Sequence, residues 1–273
     1  MALFFELIDF RHSHHQSENR PINTQWARDS LFGDGFFTTG VIENHQLLNS
    51  EYHFDRLESG ARSLLFENFD LEQIKNTLKE SLKTIDKGIL RLSVTRSQAE
   101  RGYAVSKQTQ ISVKLVVTPW TSPLKQDCMA FFADTPVSVN PRLAGIKHLN
   151  RLDNVLAANE CLQENSESIM CIDEQVVCGS RSNLFCLINN IWKTPELDLA
   201  GIEGITRARI IESMKKQDVQ FAVTRVSQSD LLNSQAAFVC NSLLGIWPIS
   251  QIEDKKLDAN LARHLQSQLD FTR

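Results

Sequence analysis

Pro119-Trp120-Thr121-Ser122-Pro123 constrains the fold more than any other stretch of this chain. Two prolines and small polar residues interrupt helix and strand alike. A length of 273 residues is near the limit for one hydrophobic core, roughly 250–300 residues, so a break here predicts two domains. The expected layout is a smaller N-terminal α/β domain at 1–118, a linker at 119–124 and a larger C-terminal domain at 125–273.

Before the linker, residues 3–8 read as a short strand. The polar stretch that follows carries His12, His14 and His15 and reads as a solvated loop, because no carboxylate or cysteine stands at metal-ligand spacing. In Leu31–Ile42, Gly33 and Gly35 permit a turn ahead of an apolar, β-rich run, and Asn44-His45 forms a hairpin tip. Phe54, Leu57, Ala61, Leu64 and Leu65 share one helical stripe, which Asn49 or Ser50 can cap. A second helix runs from Leu71 to about Lys83, with Asp70 and Gln73 in capping-box spacing. Gly88–Arg96, alternating apolar and polar, and Gln110–Thr118 are strands.

Beyond the linker, Met129–Asp134 and Pro136–Val139 read as strands, and Asn150–Gln163 as a helix with Leu152, Val155, Leu156 and Leu162 on one face. Ser168–Ile172, Asn183–Ile188, Gln220–Thr224 and Ala236–Cys240 are further strands. Ile205–Lys216 is a helix entered through Gly204, and Ser229–Asn233 a short one. The sum is an α+β protein with mostly antiparallel sheets and flanking helices, without the regular alternation of a doubly wound fold.

With 29 basic and 33 acidic residues and a net charge of -4, the chain has no general attraction to nucleic acid or to an anionic membrane. Any anion must be held locally. The six cysteines are scattered without C-x-x-C spacing, which suits neither zinc nor a disulfide framework and points to a reducing cytoplasm. The N-terminus carries Glu6 and Asp9 in place of a basic segment, and no apolar run approaches the ~20 residues of a membrane span.

Chemistry centres on Lys147, enclosed by Ile146, His148 and Leu149. Burial lowers the pKa of an ammonium group, which suits Schiff-base chemistry; the same position also suits a lysine whose stem packs and whose head reaches water. Arg56 lies off the apolar stripe of its helix, suited to a phosphate or to solvent. Glu203-Gly204-Ile205-Thr206 opens a helix whose first amides and partial positive charge welcome an anion. Ser242, after an apolar strand, adds a hydroxyl. A phosphate-bearing cofactor that bonds to a lysine accounts for all four, and pyridoxal phosphate is such a cofactor.

The blocks G-D-G-F-F-T-T (33–39), H-F-D-R-L (53–57), R-G-Y (101–103), A-G-I-K-H-L-N-R-L (144–152), S-N-L-F (182–185), T-P-x-L (194–197), G-I-T-R (204–207) and C-N-S (240–242) stand in the order of fold-type IV pyridoxal-phosphate enzymes, the D-amino acid aminotransferase-like fold. The chain resembles that family over roughly residues 30–250, and the 144–152 and R-G-Y blocks resemble its 4-amino-4-deoxychorismate lyases. The resemblance implies that Lys147 binds pyridoxal 5'-phosphate covalently and acts as base and acid. It implies that Arg56, the amides of Ile205 and Thr206, and Ser242 hold the phosphate. Arg101 and Tyr103 would meet a substrate carboxylate, and Thr38 would stand near the reacting atoms as a second catalytic residue that assists proton transfer, the leaving group's proton coming from Lys147 or from Thr38. Which of Arg91, Arg96 and Arg101 reaches a second carboxylate stays open. A homodimer, with the site between the domains and near the partner chain, is also implied.

One position departs from the family. Five residues before Asn183, where relatives place a glutamate that pairs with the cofactor's ring nitrogen, this chain has Cys178. A thiol gives at most a weak hydrogen bond there. Glu174, four residues away, is roughly 13 Å distant along an extended strand. A lyase tolerates a weaker electron sink, because elimination of pyruvate creates an aromatic ring in the bond-breaking step. The reaction that the resemblance implies is 4-amino-4-deoxychorismate to 4-aminobenzoate and pyruvate, with an amino-acid aminotransferase or a non-catalytic relative as alternatives.

Overall fold

The computed structural model describes residues 4–9, 28–96, 102–105, 109–120 and 126–271. His12, His14, His15, Arg101 and most of the expected linker lie outside the described residues. The chain packs as two units, Met1–Thr121 with Ile146–Asn150, and Ser122–Gly145 with Arg151–Arg273. Ile146–Asn150, assigned from sequence to the second domain, groups with the first unit because its backbone pairs with a strand there.

The first unit contains β1 (Phe4–Asp9), α1 (Arg28–Phe32), β2 (Gly35–Glu43), β3 (Gln46–Leu47), α2 (Ser50–Ser63), α3 (Leu71–Leu82), β4 (Lys87–Arg96) and β5 (Ile111–Thr118). Its sheet has the order β1-β5-β4-β2-β3, with β1 parallel to β5 and the other pairs antiparallel. Period-two alternation puts Leu90, Leu92 and Val94 of β4 and Val113, Leu115 and Val117 of β5 into the core. Phe54, Leu57 and Ala61 of α2 and Ile74, Leu78 and Leu82 of α3 join them, each worth about 1.5–3 kcal/mol when a large side chain is fully buried. A Cβ at Gly60 would stand 2.8 Å from the Phe36 ring, so α2 can lie this close to β2 only with glycine there. Asn44 and His45, at φ 51 and 62, make the two-residue turn between β2 and β3. The α2 stripe ends earlier than its sequence pattern: Leu65 is left-handed at φ 58 and 69% exposed.

The second unit contains β6 (Cys128–Phe132), α4 (Leu152–Glu160), β7 (Ser166–Ile172), β8 (Gln175–Gly179), β9 (Asn183–Ile188), β10 (Ile191–Pro195), α5 (Ile205–Lys216), β11 (Phe221–Thr224), α6 (Gln228–Leu232), β12 (Ala236–Asn241), β13 (Gly245–Ile252), β14 (Lys255–Lys256) and α7 (Ala259–Gln268). Its sheet runs β11-β10-β9-β12-β13-β6-β7-β8, with β14 on β13. Antiparallel pairs again outnumber parallel ones. One core lies around Phe185, Phe238, Ile210 and Leu265, where α5 and α7 cover the sheet; another gathers Ile169, Val239, Trp247 and Ile249. Two expectations are corrected. Pro136–Val139 is not a strand; its proline has no N–H for a ladder. On α4 the apolar stripe faces outward, with Leu152 77%, Val155 51% and Leu156 58% exposed, because the helix packs through Ala157 instead.

Candidate active site

In the first unit, Lys147 is fixed by its backbone. The Phe37 N–H donates to the Lys147 carbonyl at 2.9 Å and the Leu149 N–H to the Gly35 carbonyl at 3.0 Å, so residues 146–149 line the start of β2 along the edge that β3 covers only at Ile42 and Glu43. Phe36 stands opposite His148 in this pairing, which puts Phe37 and Lys147 on the other face. The Lys147 Nζ lies 4.7 Å from the centre of the Phe37 ring, and the guanidinium carbon of Arg91, on β4, lies 3.7 Å from the same ring. Two cations thus share one aromatic side chain. Arg91 has no carboxylate partner among the described residues.

Thr38 points to the opposite face. Its Oγ1 is 2.6 Å from Nδ1 of His53 on α2, and both residues are 1% exposed. Gly40 makes room for the imidazole, since a Cβ there would sit 2.6 Å from its Nε2. Burial, with the Arg56 guanidinium nearby, pulls the His53 pKa down to about 3, so the ring is neutral. Arg56 lies one turn further along α2, partly exposed. The structure therefore groups Thr38 with His53, and Lys147 with Phe37 and Arg91.

Arg96 is committed elsewhere. It donates to Asp34 Oδ1 at 2.7 Å and to the carbonyls of Leu64 and Leu65 at 2.7 and 2.6 Å, over the Phe66 ring. Tyr103 is 84% exposed, its ring 5.0 Å from that of Phe32.

In the second unit, α5 starts at Gly204 with no side-chain cap, which leaves the buried amides of Ile205 and Thr206 without an intrahelical acceptor. The turn before it is pinned from two sides. Gly145 and residues 201–203 exchange backbone hydrogen bonds at 3.1 and 3.0 Å, and the Asn183 amide donates to the Ile202 carbonyl at 2.8 Å. A Cβ on Gly204 would stand 1.9 Å from Asn183 Oδ1, so only glycine allows this approach. Arg207 is a structural residue that donates to Thr194 Oγ1 at 3.1 Å and to the Pro195 carbonyl at 3.0 Å, docking the first turn on β10. Ser242 sits in the turn after β12, shaped by Asn241 Oδ1, which accepts from the N–H groups of Leu243 and Leu244 at 2.9 Å each.

Cys178 pairs with Met170 across β8 and β7 and is buried with Val137, Ala157 and Ala200. Burial, reinforced by the Glu167 carboxylate, pushes its thiol up to about 12, so it stays protonated. Glu167 is itself engaged: the hydroxyls of Ser180 and Ser182 donate to it at 2.6 and 2.9 Å, and Arg181 lies 3.4 Å away. Glu174 is exposed in the β7–β8 turn. Arg151 is the charged neighbour that favours the thiolate, and it is largely desolvated. The sequence marks Asn183 only as part of S-N-L-F, without its role beside Gly204, and gives no role to His53, whose place on the buried side of α2 is the available signal.

A family model for amino-transferase class IV matches residues 35–252. The chain belongs to the amino-transferase class IV family. Within it, the crystal structure of a 4-amino-4-deoxychorismate lyase from Pseudomonas aeruginosa matches this class IV chain with a TM-score of 0.85 at 32% identity, over 89% of this chain and 92% of that one. An aminodeoxychorismate lyase of Vibrio harveyi is 27% identical over 89% of this chain and 94% of its own length. A D-alanine aminotransferase of Bacillus licheniformis is 24% identical over 89% and 88%. The fold is that of fold-type IV aminotransferase-like proteins, and the class IV family depends on pyridoxal phosphate.

Proposed function

We propose that this class IV chain is a pyridoxal 5'-phosphate-dependent aminodeoxychorismate lyase, forming 4-aminobenzoate and pyruvate from 4-amino-4-deoxychorismate. The observation that carries the reading is its match, along nearly the whole chain, to the Pseudomonas aeruginosa lyase, with Lys147 held on the edge of β2. The residues fit the cofactor. The uncapped, buried amides of Ile205 and Thr206 suit a phosphate monoester, with Arg56 and the Ser242 hydroxyl as further donors to it. When bound, pyridoxal phosphate would supply an electron-withdrawing ring to the carbon that bears the substrate amine.

The Lys147 amine takes the proton from that carbon. The bond to the enolpyruvyl oxygen breaks, the six-membered ring becomes aromatic, and the leaving group receives a proton from Lys147 to become pyruvate. Thr38, facing His53, serves the packing of α2 on β2, so Lys147 is the proton carrier. Of the three arginines that the sequence left open, Arg91 is the one that shares an aromatic ring with Lys147, and we assign a substrate carboxylate to it. Arg101 and Tyr103 contribute to the same recognition.

The Bacillus licheniformis relative supports amino-acid aminotransfer as the second reading. The two separate in one experiment: purified protein with pyridoxal phosphate is given aminodeoxychorismate or an amino acid, and 4-aminobenzoate, pyruvate and pyridoxamine phosphate are measured. The first pair supports the lyase and the last product the aminotransferase; Lys147→Ala should lower lyase turnover by roughly a hundred- to ten-thousandfold. Substantial residual turnover rejects the assignment of Lys147. We further propose a cytoplasmic homodimer. Six free cysteines support a reducing compartment, and no helix among the described residues is long and apolar enough to cross a membrane. The exposed Leu152, Val155, Leu156 and Leu162 offer an apolar face to a second copy.

A further inference from the structure

The G-D-G aspartate and the first residue of α1 build a clamp that the proposed chemistry has not used. The Arg28 Nε donates to Asp34 Oδ2 at 2.6 Å, and the same carboxylate accepts from Arg96 through Oδ1 at 2.7 Å. Its Nη1 and Nη2 donate to one turn, Nη1 of Arg28 to the carbonyls of Gly102 at 2.9 Å and Ala104 at 3.4 Å and Nη2 to that of Tyr103 at 2.8 Å. Arg28 is 4% exposed, whereas Tyr103 is 84% exposed. Gly102 takes φ 117, open to glycine and strained for other residues. Phe32 lies between the two, 5.1 Å from the Arg28 guanidinium and 5.0 Å from the Tyr103 ring.

A guanidinium has five donors in a fixed planar fork, and here one fork binds a carboxylate and three successive carbonyls. Its charge is neutralised on one side by Asp34, and its other edge meets three peptide carbonyls. The backbone of an exposed aromatic residue is thereby fixed from below while its ring faces solvent. An exposed loop would otherwise lose freedom on binding a ligand, and that loss weakens affinity.

We propose that Arg28 is a positioning residue for substrate: it holds the 102–104 turn so that Tyr103 meets the substrate already ordered. The inference rests on the proposed lyase reading, in which Tyr103 contacts substrate. Arg28→Lys keeps a counter-charge for Asp34 but cannot span three carbonyls.

Lyase kinetics of Arg28→Lys, Tyr103→Ala and the double variant test this, alongside amide hydrogen exchange of residues 102–105. The expected result for Arg28→Lys is a KM raised roughly three- to tenfold, from the ordering now required on binding, with kcat within about twofold. Tyr103→Ala should give a rise of similar size, and the double variant should be no worse than either single one, because both remove the same presented side chain. Exchange at 102–105 should accelerate in Arg28→Lys. Additive effects on KM, or an unchanged KM with accelerated exchange, overturn the inference. A wild-type protein that forms no 4-aminobenzoate overturns the proposed function instead.

Discussion

Thr38 Oγ1 and His53 Nδ1 lie 2.6 Å apart on the face of β2 opposite the one that carries Phe37 and the Lys147 amine. A threonine in that place is a tie between strand and helix. Thr38→Val should therefore leave a buried imidazole nitrogen unpaired and cost about 1–3 kcal/mol of stability. Lyase turnover per folded molecule should stay within about tenfold of wild type, far above that of Lys147→Ala. Urea unfolding and steady-state kinetics on the same samples separate the two effects. A Thr38→Val protein of full stability with turnover as low as that of Lys147→Ala would restore Thr38 to the chemistry.

The same pair sets an acid limit. In the fold, His53 has its pKa lowered from 6.5 to about 3 by burial and by Arg56, so between those values only the unfolded chain binds the proton. Stability contributed by the neutral ring is complete above pH 6.5 and falls as pH drops through this window, by about 2 kcal/mol at pH 5. His53→Gln should lower stability at pH 7 yet flatten the loss between pH 7 and 5. Denaturant midpoints at the two values check this, and an unchanged difference between them would reject it.

Gly204 is replaceable by its backbone angles, φ -68 and ψ 137, but not by its surroundings. In Gly204→Ala the new methyl would meet Asn183 Oδ1, 1.9 Å away in the present structure, and push it off the Ile202 carbonyl. The turn that aims the Ile205 and Thr206 amides then shifts. Pyridoxal phosphate affinity, read by fluorescence titration, should fall by about tenfold or more, equivalent to ~1.4 kcal/mol of phosphate binding. Undiminished affinity would place the phosphate elsewhere.

Cys178 is buried and neutral, and the carboxylate nearest to its chemistry, Glu167, is held by Ser180, Ser182 and Arg181. A carboxylate at 178 would keep an aromatic ring nitrogen protonated and strengthen the cofactor as an electron sink. Aminotransfer depends on that sink, whereas the lyase reaction draws on the aromaticity it creates. Cys178→Glu should therefore raise aminotransferase side activity more than lyase activity. Assay of both reactions on one preparation decides the matter, and equal gains would reject the argument.

Some of this organisation was legible in the sequence and some was not, for physical reasons. Helix α5 is legible at its observed bounds, Ile205–Lys216, because Gly204 marks its entry locally. The outward stripe of α4 had the same periodicity as a core face, and periodicity cannot say what covers a stripe. Strands β8, β10 and β13 leave little signal in the sequence, since β8 and β10 are five residues each and β13 contains Pro248. Alternation in β2 puts Phe36 and Thr38 on one face. Lys147 sides with Phe37 only because residues 146–149 pair with β2 from more than a hundred positions away, information absent from either segment alone.

Arg91 and Arg96 lie on one strand, but their environments assign them opposite tasks. Arg96 is buried against Asp34, two carbonyls and the Phe66 ring, so Arg96→Leu should destabilise the protein by about 3–5 kcal/mol by stripping Asp34 of one partner. Arg91 is exposed, stacks on Phe37 beside Lys147, and makes no ion pair among the described residues. Arg91→Leu should leave the melting temperature nearly unchanged while raising KM for aminodeoxychorismate roughly ten- to hundredfold, the range for losing a charge-assisted hydrogen bond to a carboxylate. Arg91→Lys should recover part of the loss, since it keeps the charge without the fork. An Arg91→Leu enzyme with wild-type KM would remove Arg91 from substrate binding and leave the carboxylate to the R-G-Y arginine, Arg101.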